Sequence, residues 1–166
     1  MQTVFLNGTV GVGKSTVAEA MSAAEASPHA VLDLDAIRSF RPAPDGDPFN
    51  VSLELRNLAA LAANYREAGA QRLILAGVIE RRDFLPRYED AVGGRLRVVR
   101  LVASPEVIAE RLRARHADDP AGLAWHLERA GQLSTILDTL ALGESVEAGD
   151  AGPSVVAARV AERTWG

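Results

Sequence analysis

The residues with the clearest chemical purpose form an octet near the start of the chain, Gly8-Thr9-Val10-Gly11-Val12-Gly13-Lys14-Ser15. This spacing matches the phosphate-loop pattern G-x-x-x-x-G-K-[ST], and it stands between an apolar run and a helix-prone stretch, as the motif requires. The glycines allow a sharp turn close to an anion, so that successive N–H groups point at phosphate oxygens. The octet therefore predicts the binding of a nucleotide, and a chance glycine-rich turn is the alternative.

Three side chains in and after the octet add specific chemistry. Lys14 supplies positive charge for the β- and γ-phosphates, and Ser15 is placed to ligate Mg²⁺ through its hydroxyl. Thr16 can hydrogen-bond a phosphate further back along the nucleotide. We therefore expect ATP and Mg²⁺ as cofactors, held by residues 8–16.

A second group of chemistry-bearing residues follows the second apolar run, where Asp33, Asp35 and Arg38 form the pattern D-x-D-x-x-R. At the carboxyl end of a parallel strand, two acids separated by one residue can face the same crevice as the phosphate loop. A carboxylate there can hold Mg²⁺ through water, or accept the proton of a hydroxyl that attacks the γ-phosphate. Arg38 can clamp a substrate anion. Alternatively, one of the aspartates only caps the next helix.

Arginines cluster late in the chain, at Arg111, Arg113 and Arg115. A movable segment with arginines can stabilise the charge that builds up in phosphoryl transfer and exclude water. Arg111 and Arg115 are the candidates for contact with ATP, because residues four apart share a helix face. The alternative is a solvated helix face, on which these arginines pair with Glu106 and Glu110.

Short apolar runs alternate with segments of helical period, which favours parallel strands joined by crossover helices. The predicted strands are Thr3–Leu6, Ala30–Leu34, Leu73–Ala76, Leu96–Val102 and Ser145–Ala148. The predicted helices are Lys14–Ala24, Val51–Ala68, Pro105–Arg113, Ala121–Leu140 and Ser154–Arg163. The proline-rich stretch 40–50 is interpreted as a loop.

Composition narrows the class of protein. The 166 residues, 48% of them hydrophobic, predict one domain spanning 1–166. The net charge of −4 argues against a nucleic-acid partner, and the chain has no cysteine for a thiolate metal site or a thiol nucleophile. No leader-like start and no long apolar run are present, so we expect a cytoplasmic protein without a membrane partner.

With these motifs, the chain resembles the P-loop small-molecule kinases, a group that includes adenylylsulfate, shikimate, gluconate and nucleoside monophosphate kinases. Its local sequence most resembles that of the adenylylsulfate kinases. They share Gly-Lys-Ser-Thr, here Gly13 to Thr16, and Leu-Asp-x-Asp-x-x-Arg, here Leu32 to Arg38. The resemblance implies a three-layer α/β/α domain with a five-stranded parallel sheet in the order 2-3-1-4-5. It also implies a helical lid at about 113–130.

The resemblance assigns roles to individual residues as well. It implies that Asp33 lies near the metal, Asp35 near the accepting hydroxyl and Arg38 against the acceptor. Arg56 and Arg81 are implied to line the acceptor pocket. Arg129 is a further candidate for the nucleotide, and 150–154 is implied to pass near the base.

The sequence favours an ATP- and Mg²⁺-dependent kinase that phosphorylates a hydroxyl or a phosphate of a small-molecule acceptor. Asp35 is expected to act as base or orienter, with Lys14, Arg111 and Arg115 as charge stabilisers, and the choice of Asp33 or Asp35 as the base stays open. A GTPase would need an Asn-Lys-x-Asp stretch, which this sequence lacks. A regulatory nucleotide-binding protein or a toxin-like kinase of nucleotide sugars stays open. The acceptor and the choice between monomer and homodimer stay open too.

Overall fold

The five apolar runs form the five strands of one sheet. The structure is a computed structural model that describes residues 1–165. The strands are β1 Gln2–Asn7, β2 His29–Asp33, β3 Arg72–Gly77, β4 Leu96–Val102 and β5 Glu144–Glu147. All neighbouring strands are parallel, and their order is β2-β3-β1-β4-β5. The predicted fold class and strand order are confirmed.

Seven helices connect the strands and cover the sheet in the part of the chain described. They are α1 Lys14–Ala24, α2 Leu34–Ile37, α3 Val51–Glu67, α4 Leu85–Val92, α5 Pro105–Arg115, α6 Pro120–Leu140 and α7 Pro153–Thr164. Five lie within two residues of their predicted bounds. The single-turn α2 and the eight-residue α4 were not predicted, because so short a helix repeats its apolar face too few times to be recognised: α4 buries only Tyr88 and Val92.

Two apolar cores lie on opposite faces of the sheet and make the three layers. In β1, Val4 and Leu6 pack on the side of α1 and α7, whereas Phe5 packs on the side of α3 and α4. The inner strands β1 and β3 are buried on both faces, which explains their continuous apolar sequence. The cores therefore hold the strands so that the loops after β1, β2 and β3 meet at the carboxyl ends of the strands.

A third, smaller core joins α5 and α6 to the phosphate loop. Ile108, Leu112 and Ala130 are buried there, with Val10 packed against them. Gly11 has a φ of +80°, and a Cβ at this position would lie 2.9 Å from Leu112 Cγ. Glycine is therefore needed both for the backbone conformation and for the close approach of α5. Within residues 1–165, no helix is both long and apolar enough to cross a membrane.

Candidate active site

The phosphate loop leads directly into the first turn of α1. Gly13 has a φ of +104° and stands at the N-cap of α1, where it offers no side chain to cap the helix. The first N–H groups of a helix lack partners inside the helix, and the helix dipole is positive at this end. Residues 10–17 line a cleft of about 640 Å³. The loop therefore presents unpaired backbone donors to that cleft, as an anion site requires.

Lys14 is the only lysine of the chain. Its Nζ donates hydrogen bonds to the carbonyl oxygens of Gly8 at 3.0 Å and Thr9 at 2.9 Å. Burial lowers the pKa of Lys14 to about 8, while the carboxylates of Asp35 and Asp33 act in the opposite direction. The ammonium group is thus held over the loop, in a place where a phosphate would compensate its burial.

Asp33 joins the end of β2 to α1. Its Oδ2 accepts a hydrogen bond of 2.6 Å from Ser15 Oγ, and its Oδ1 accepts one of 3.0 Å from the Asp35 N–H. Asp33 therefore caps α2 with one oxygen, as the capping alternative expected, and faces Ser15 with the other.

The donor set of Ser15 and Asp33 fits Mg²⁺, which prefers oxygen ligands and keeps several waters. The residues described contain no cluster of three or more His, Cys, Asp or Glu side chains suited to a metal ion. A Mg²⁺ ion would therefore take its remaining ligands from phosphate oxygens and water.

The cleft is lined by both polar and apolar residues. Besides the phosphate loop, its polar lining includes Asp33, Asp35, Arg111 and Arg115. The walls also include Ala148, Ala151, Pro153, Val156 and His126. The segment expected near the base, 150–154, thus contributes two residues to the cleft. His126 was not predicted, since a lone histidine in a helical segment has no motif around it.

A second cavity of about 410 Å³ adjoins the first through an ion pair. Asp35 lines the first cleft, Arg38 lines the second cavity, and the Arg38 guanidinium contacts the Asp35 carboxylate. Arg81 lines the second cavity as well and pairs with Asp83. Arg56 is exposed on α3 and lines neither cavity. Other residues of the wall are Pro48, Phe49, Val78, Glu80, Phe84, Arg87, Tyr88 and Ile136.

The phosphate loop, the aspartates and the two predicted arginines all lie within one family match. The family model described as an AAA domain matches residues 4–124, well over half of the chain. The chain belongs to the AAA domain family.

Solved structures match this chain over nearly its entire length. The tunicamycin resistance protein of Deinococcus radiodurans is 22% identical, with a TM-score of 0.70, and covers 98% of this chain and 94% of its own. A gluconokinase of Sinorhizobium meliloti 1021 is 22% identical, with a TM-score of 0.59, covering 99% and 95%. A shikimate kinase of Bacteroides thetaiotaomicron is 19% identical, with a TM-score of 0.63, covering 98% and 97%.

At these identities the likeness establishes the fold. The resemblance to the P-loop small-molecule kinases is confirmed, because shikimate and gluconate kinases are among the structural neighbours. The closer likeness to adenylylsulfate kinases stays a prediction. A search of curated proteins gave no match.

Arg111 of the AAA domain makes contacts that its sequence position did not predict. Its guanidinium donates hydrogen bonds of 2.9 Å to the carbonyl oxygens of Val12, Ala148 and Gly149. It thereby ties the phosphate loop to the segment after β5. Arg115, one turn further on, is exposed and lines the same cleft.

Arg129 contacts two residues that line the second cavity. Its guanidinium pairs with Glu80, which follows β3, and lies 4.8 Å from the ring centre of Phe49. Both partners line the second cavity, and Arg129 does not line the first cleft. The expected lid segment, 113–130, consists of the end of α5, a turn and the first half of α6.

A buried carboxyl group behind the second cavity was missed by sequence analysis. Glu54 in α3 is 1% exposed; it accepts a hydrogen bond from the Tyr88 hydroxyl, and its Oε2 lies 3.3 Å from Arg38 Nη1. Burial raises the pKa of Glu54 to about 7, against the opposing effects of Tyr88 and Arg38. Burial also raises the pKa of Tyr88. The available signal was the spacing of Glu54, Leu58 and Ala62, which places the glutamate on the buried face of α3.

Proposed function

We propose that this protein is a kinase that transfers the γ-phosphoryl group of ATP to a hydroxyl of a small-molecule acceptor, with Mg²⁺. One observation carries the proposal. The phosphate-loop cleft and the second cavity meet at the ion pair of Asp35 and Arg38. A nucleotide in the first and an acceptor in the second would bring the γ-phosphate and the acceptor hydroxyl together beside Asp35, which is the geometry that direct transfer needs.

The residues that line the first cleft favour one orientation of the nucleotide. The phosphate loop and Lys14 line this cleft, so we place the triphosphate beside them. Its apolar wall, formed by Ala148, Ala151, Pro153 and Val156, suits the base. Ser15 and Asp33 would hold Mg²⁺, which neutralises charge on the β- and γ-phosphates when bound.

Asp35 would act on the acceptor. Its side chain is 63% exposed at the mouth between the two cavities. In the proposed step the hydroxyl oxygen forms a bond to the γ-phosphorus while the bond from that phosphorus to the β–γ bridging oxygen breaks. ADP leaves, and the hydroxyl proton passes to the Asp35 carboxylate. Lys14 and Arg115 would stabilise the charge that develops on the transferred group.

The second cavity supports a hydroxyl acceptor with an apolar portion. Phe49, Phe84 and Ile136 give it apolar walls. Arg38 and Arg81, which line it, already pair with Asp35 and Asp83. The negative charges of these two aspartates repel a phosphate, so a doubly charged phosphate acceptor beside Asp35 is disfavoured. We further propose that 113–130 acts as a lid, since Arg115 and His126 line the first cleft and Arg129 pairs with Glu80 of the second cavity.

Nucleotide binding is tested through the single lysine. An acyl-phosphate derivative of ATP that modifies nearby amines should acylate Lys14, and free MgATP should protect it. Peptide mass spectrometry identifies the modified residue. Calorimetry with MgADP on the wild type and on Lys14→Ala provides the matched measurement, and we expect Lys14→Ala to bind at least about tenfold more weakly.

Phosphoryl transfer is tested with a panel of acceptors. The chain and MgATP are incubated with gluconate, shikimate or tunicamycin, the compounds in the names of its structural neighbours. ADP release and the phosphorylated product are measured for the wild type, for Asp35→Asn and for a control, Asp45→Asn, in the exposed loop. We expect Asp35→Asn alone to lose acceptor-dependent transfer. ADP release that no acceptor stimulates and that Asp35→Asn leaves intact would instead support a regulatory NTPase.

A further inference from the structure

Glu54 is a buried carboxyl group to which the proposed reaction assigns no role. It lies behind the wall of the second cavity, with only 1% of its surface exposed. Two other elements hold its two oxygens: the Tyr88 hydroxyl of α4 donates to Oε1, and Arg38 Nη1, at the end of α2, lies 3.3 Å from Oε2. Burying a carboxyl group is costly, so its retention here requires partners on both oxygens.

Arg38 links this buried group to the mouth of the site. Its Nη1 faces Glu54, and its Nη2 donates to Asp35 Oδ1. A guanidinium is planar, so a carboxylate on each side fixes the plane as well as the position of the group. Asp35 is largely exposed, whereas the Glu54 side chain is only 2% exposed. Glu54 is therefore the fixed end of the chain Glu54–Arg38–Asp35.

We propose that Glu54 is a positioning residue that holds the Arg38 guanidinium, and through it the Asp35 carboxylate, at the junction of the two cavities. This inference rests on the proposed function for its purpose, although the anchoring itself does not require catalysis. Glu54 acts only through Arg38, because it lies behind the wall and not on it. Removing its negative charge should free Arg38 while leaving the phosphate loop intact.

The charge of Glu54 makes the anchoring sensitive to pH. The groups that face Glu54 are Tyr88 of α4, Arg38 and Asp35 of the α2 region, and Asp47 of the loop before α3. Burial, Asp35 and Asp47 raise the pKa of Glu54, Tyr88 and Arg38 lower it, and the result is about 7. The anchor is therefore fully charged only above neutral pH, and Arg38 loses its buried partner as the pH falls through that value.

Side-chain NMR of the full chain tests this without an acceptor. With ¹³C-labelled glutamate and ¹⁵N-labelled arginine, the Glu54 carboxyl carbon and the Arg38 Nε–H are followed across a pH titration. We expect the Glu54 carboxyl to titrate with a midpoint near pH 7, and the Arg38 signal to shift with the same midpoint. In Glu54→Gln the Arg38 shift should be lost, while the Arg81 signal, from an arginine paired with Asp83, stays unchanged.

Two further variants keep the test decisive. Glu67→Gln removes the same charge from the exposed far end of α3 and should leave the Arg38 shift in place. Tyr88→Phe removes the donor to Oε1 and should move the Glu54 and Arg38 midpoints upward together. This second variant answers the question even where Glu54→Gln fails to fold.

An Arg38 signal that ignores the Glu54 titration in the wild type, or that titrates unchanged in Glu54→Gln, would overturn the inference. So would midpoints that separate in Tyr88→Phe. These results are independent of the proposed function. Loss of MgADP affinity in the wild type would reject the kinase and leave the anchoring of Arg38 standing, whereas an insensitive Arg38 would reject the anchoring and leave phosphoryl transfer untouched.

Discussion

Ser15 Oγ and Asp33 Oδ2 lie 2.6 Å apart, joined by a hydrogen bond between the first turn of α1 and the end of β2. The two residues are 18 positions apart in the sequence, and the sheet brings them together because β2 and β1 both pair with β3. A serine hydroxyl beside a carboxylate is a suitable pair of oxygen ligands for Mg²⁺. The relationship leads to the first of four predictions.

Asp33→Asn should weaken the magnesium-dependent part of nucleotide binding. The amide keeps the shape of the side chain but lacks the charge, so we expect about 10–100-fold weaker affinity for MgADP. Affinity for ADP in EDTA should change little. Calorimetry under both conditions measures the difference, and Asp45→Asn serves as the charge-matched control. An equal loss with and without magnesium would contradict the metal role.

Arg111 and Arg115 should separate into a structural and a kinetic effect. Arg111→Met leaves the carbonyls of Val12, Ala148 and Gly149 without their donor, so the free energy of unfolding should fall by about 2–4 kcal/mol. Arg115→Met removes an exposed side chain and should change stability by less than about 0.5 kcal/mol. Urea denaturation measures both values.

The same pair is then compared for ADP release with an accepted substrate. Arg115→Met should lower turnover at least about tenfold, because the proposed lid loses a charge stabiliser. Equal stability losses for the two variants would show that the hydrogen bonds of Arg111 do not add to the free energy of unfolding. Unchanged turnover in Arg115→Met would remove that residue from the proposed mechanism.

Gly11→Ala should be more damaging than Gly46→Ala. Both glycines have a φ of +80°, so an added Cβ strains both backbones similarly, by about 1–2 kcal/mol. Only at Gly11 would the new Cβ lie 2.9 Å from Leu112 Cγ and 3.2 Å from Ile108 Cγ2, whereas nothing lies within 4 Å at Gly46. We expect a further loss of about 1–3 kcal/mol at Gly11, measured by urea denaturation. Similar losses at both sites would mean that α5 can move away from the loop.

The stability of the wild type should fall as the pH rises from 4.5 towards 7. Glu54 has a pKa of about 7 when folded, against 4.5 as its ordinary value, so the folded state binds a proton that the unfolded state releases. This bound proton stabilises the folded state fully below pH 4.5, and the stabilisation is lost as the pH rises through about 7. The free energy of unfolding should change by about 3 kcal/mol. Glu54→Gln should lack this decline and Glu67→Gln should keep it, as measured by urea denaturation at several pH values. Parallel curves for the wild type and Glu54→Gln would contradict the prediction.

Much of the nucleotide end of the site could be predicted from sequence. Residues 8–16 are contiguous, so their spacing alone describes the loop, and Asp33 and Asp35 were recognisable because they end an apolar run. The second cavity could be predicted less well. Arg38 and Arg81, which the resemblance assigned to an acceptor pocket, both line this cavity, whereas Arg56 is exposed and does not line it. Only packing decides which residues of α3 face the cavity.

The sequence by itself determined the elements whose physical cause is local. A turn that needs glycine at positive φ, a helix that begins at Lys14 and strands with continuous apolar residues are all specified by neighbouring side chains. Only the tertiary structure decided which distant groups became partners. Arg111 reaches carbonyls 37 and 38 residues further along the chain, and Glu54 meets Tyr88 34 residues away. Such contacts depend on how helices pack on the sheet, and no local pattern of residues encodes that packing.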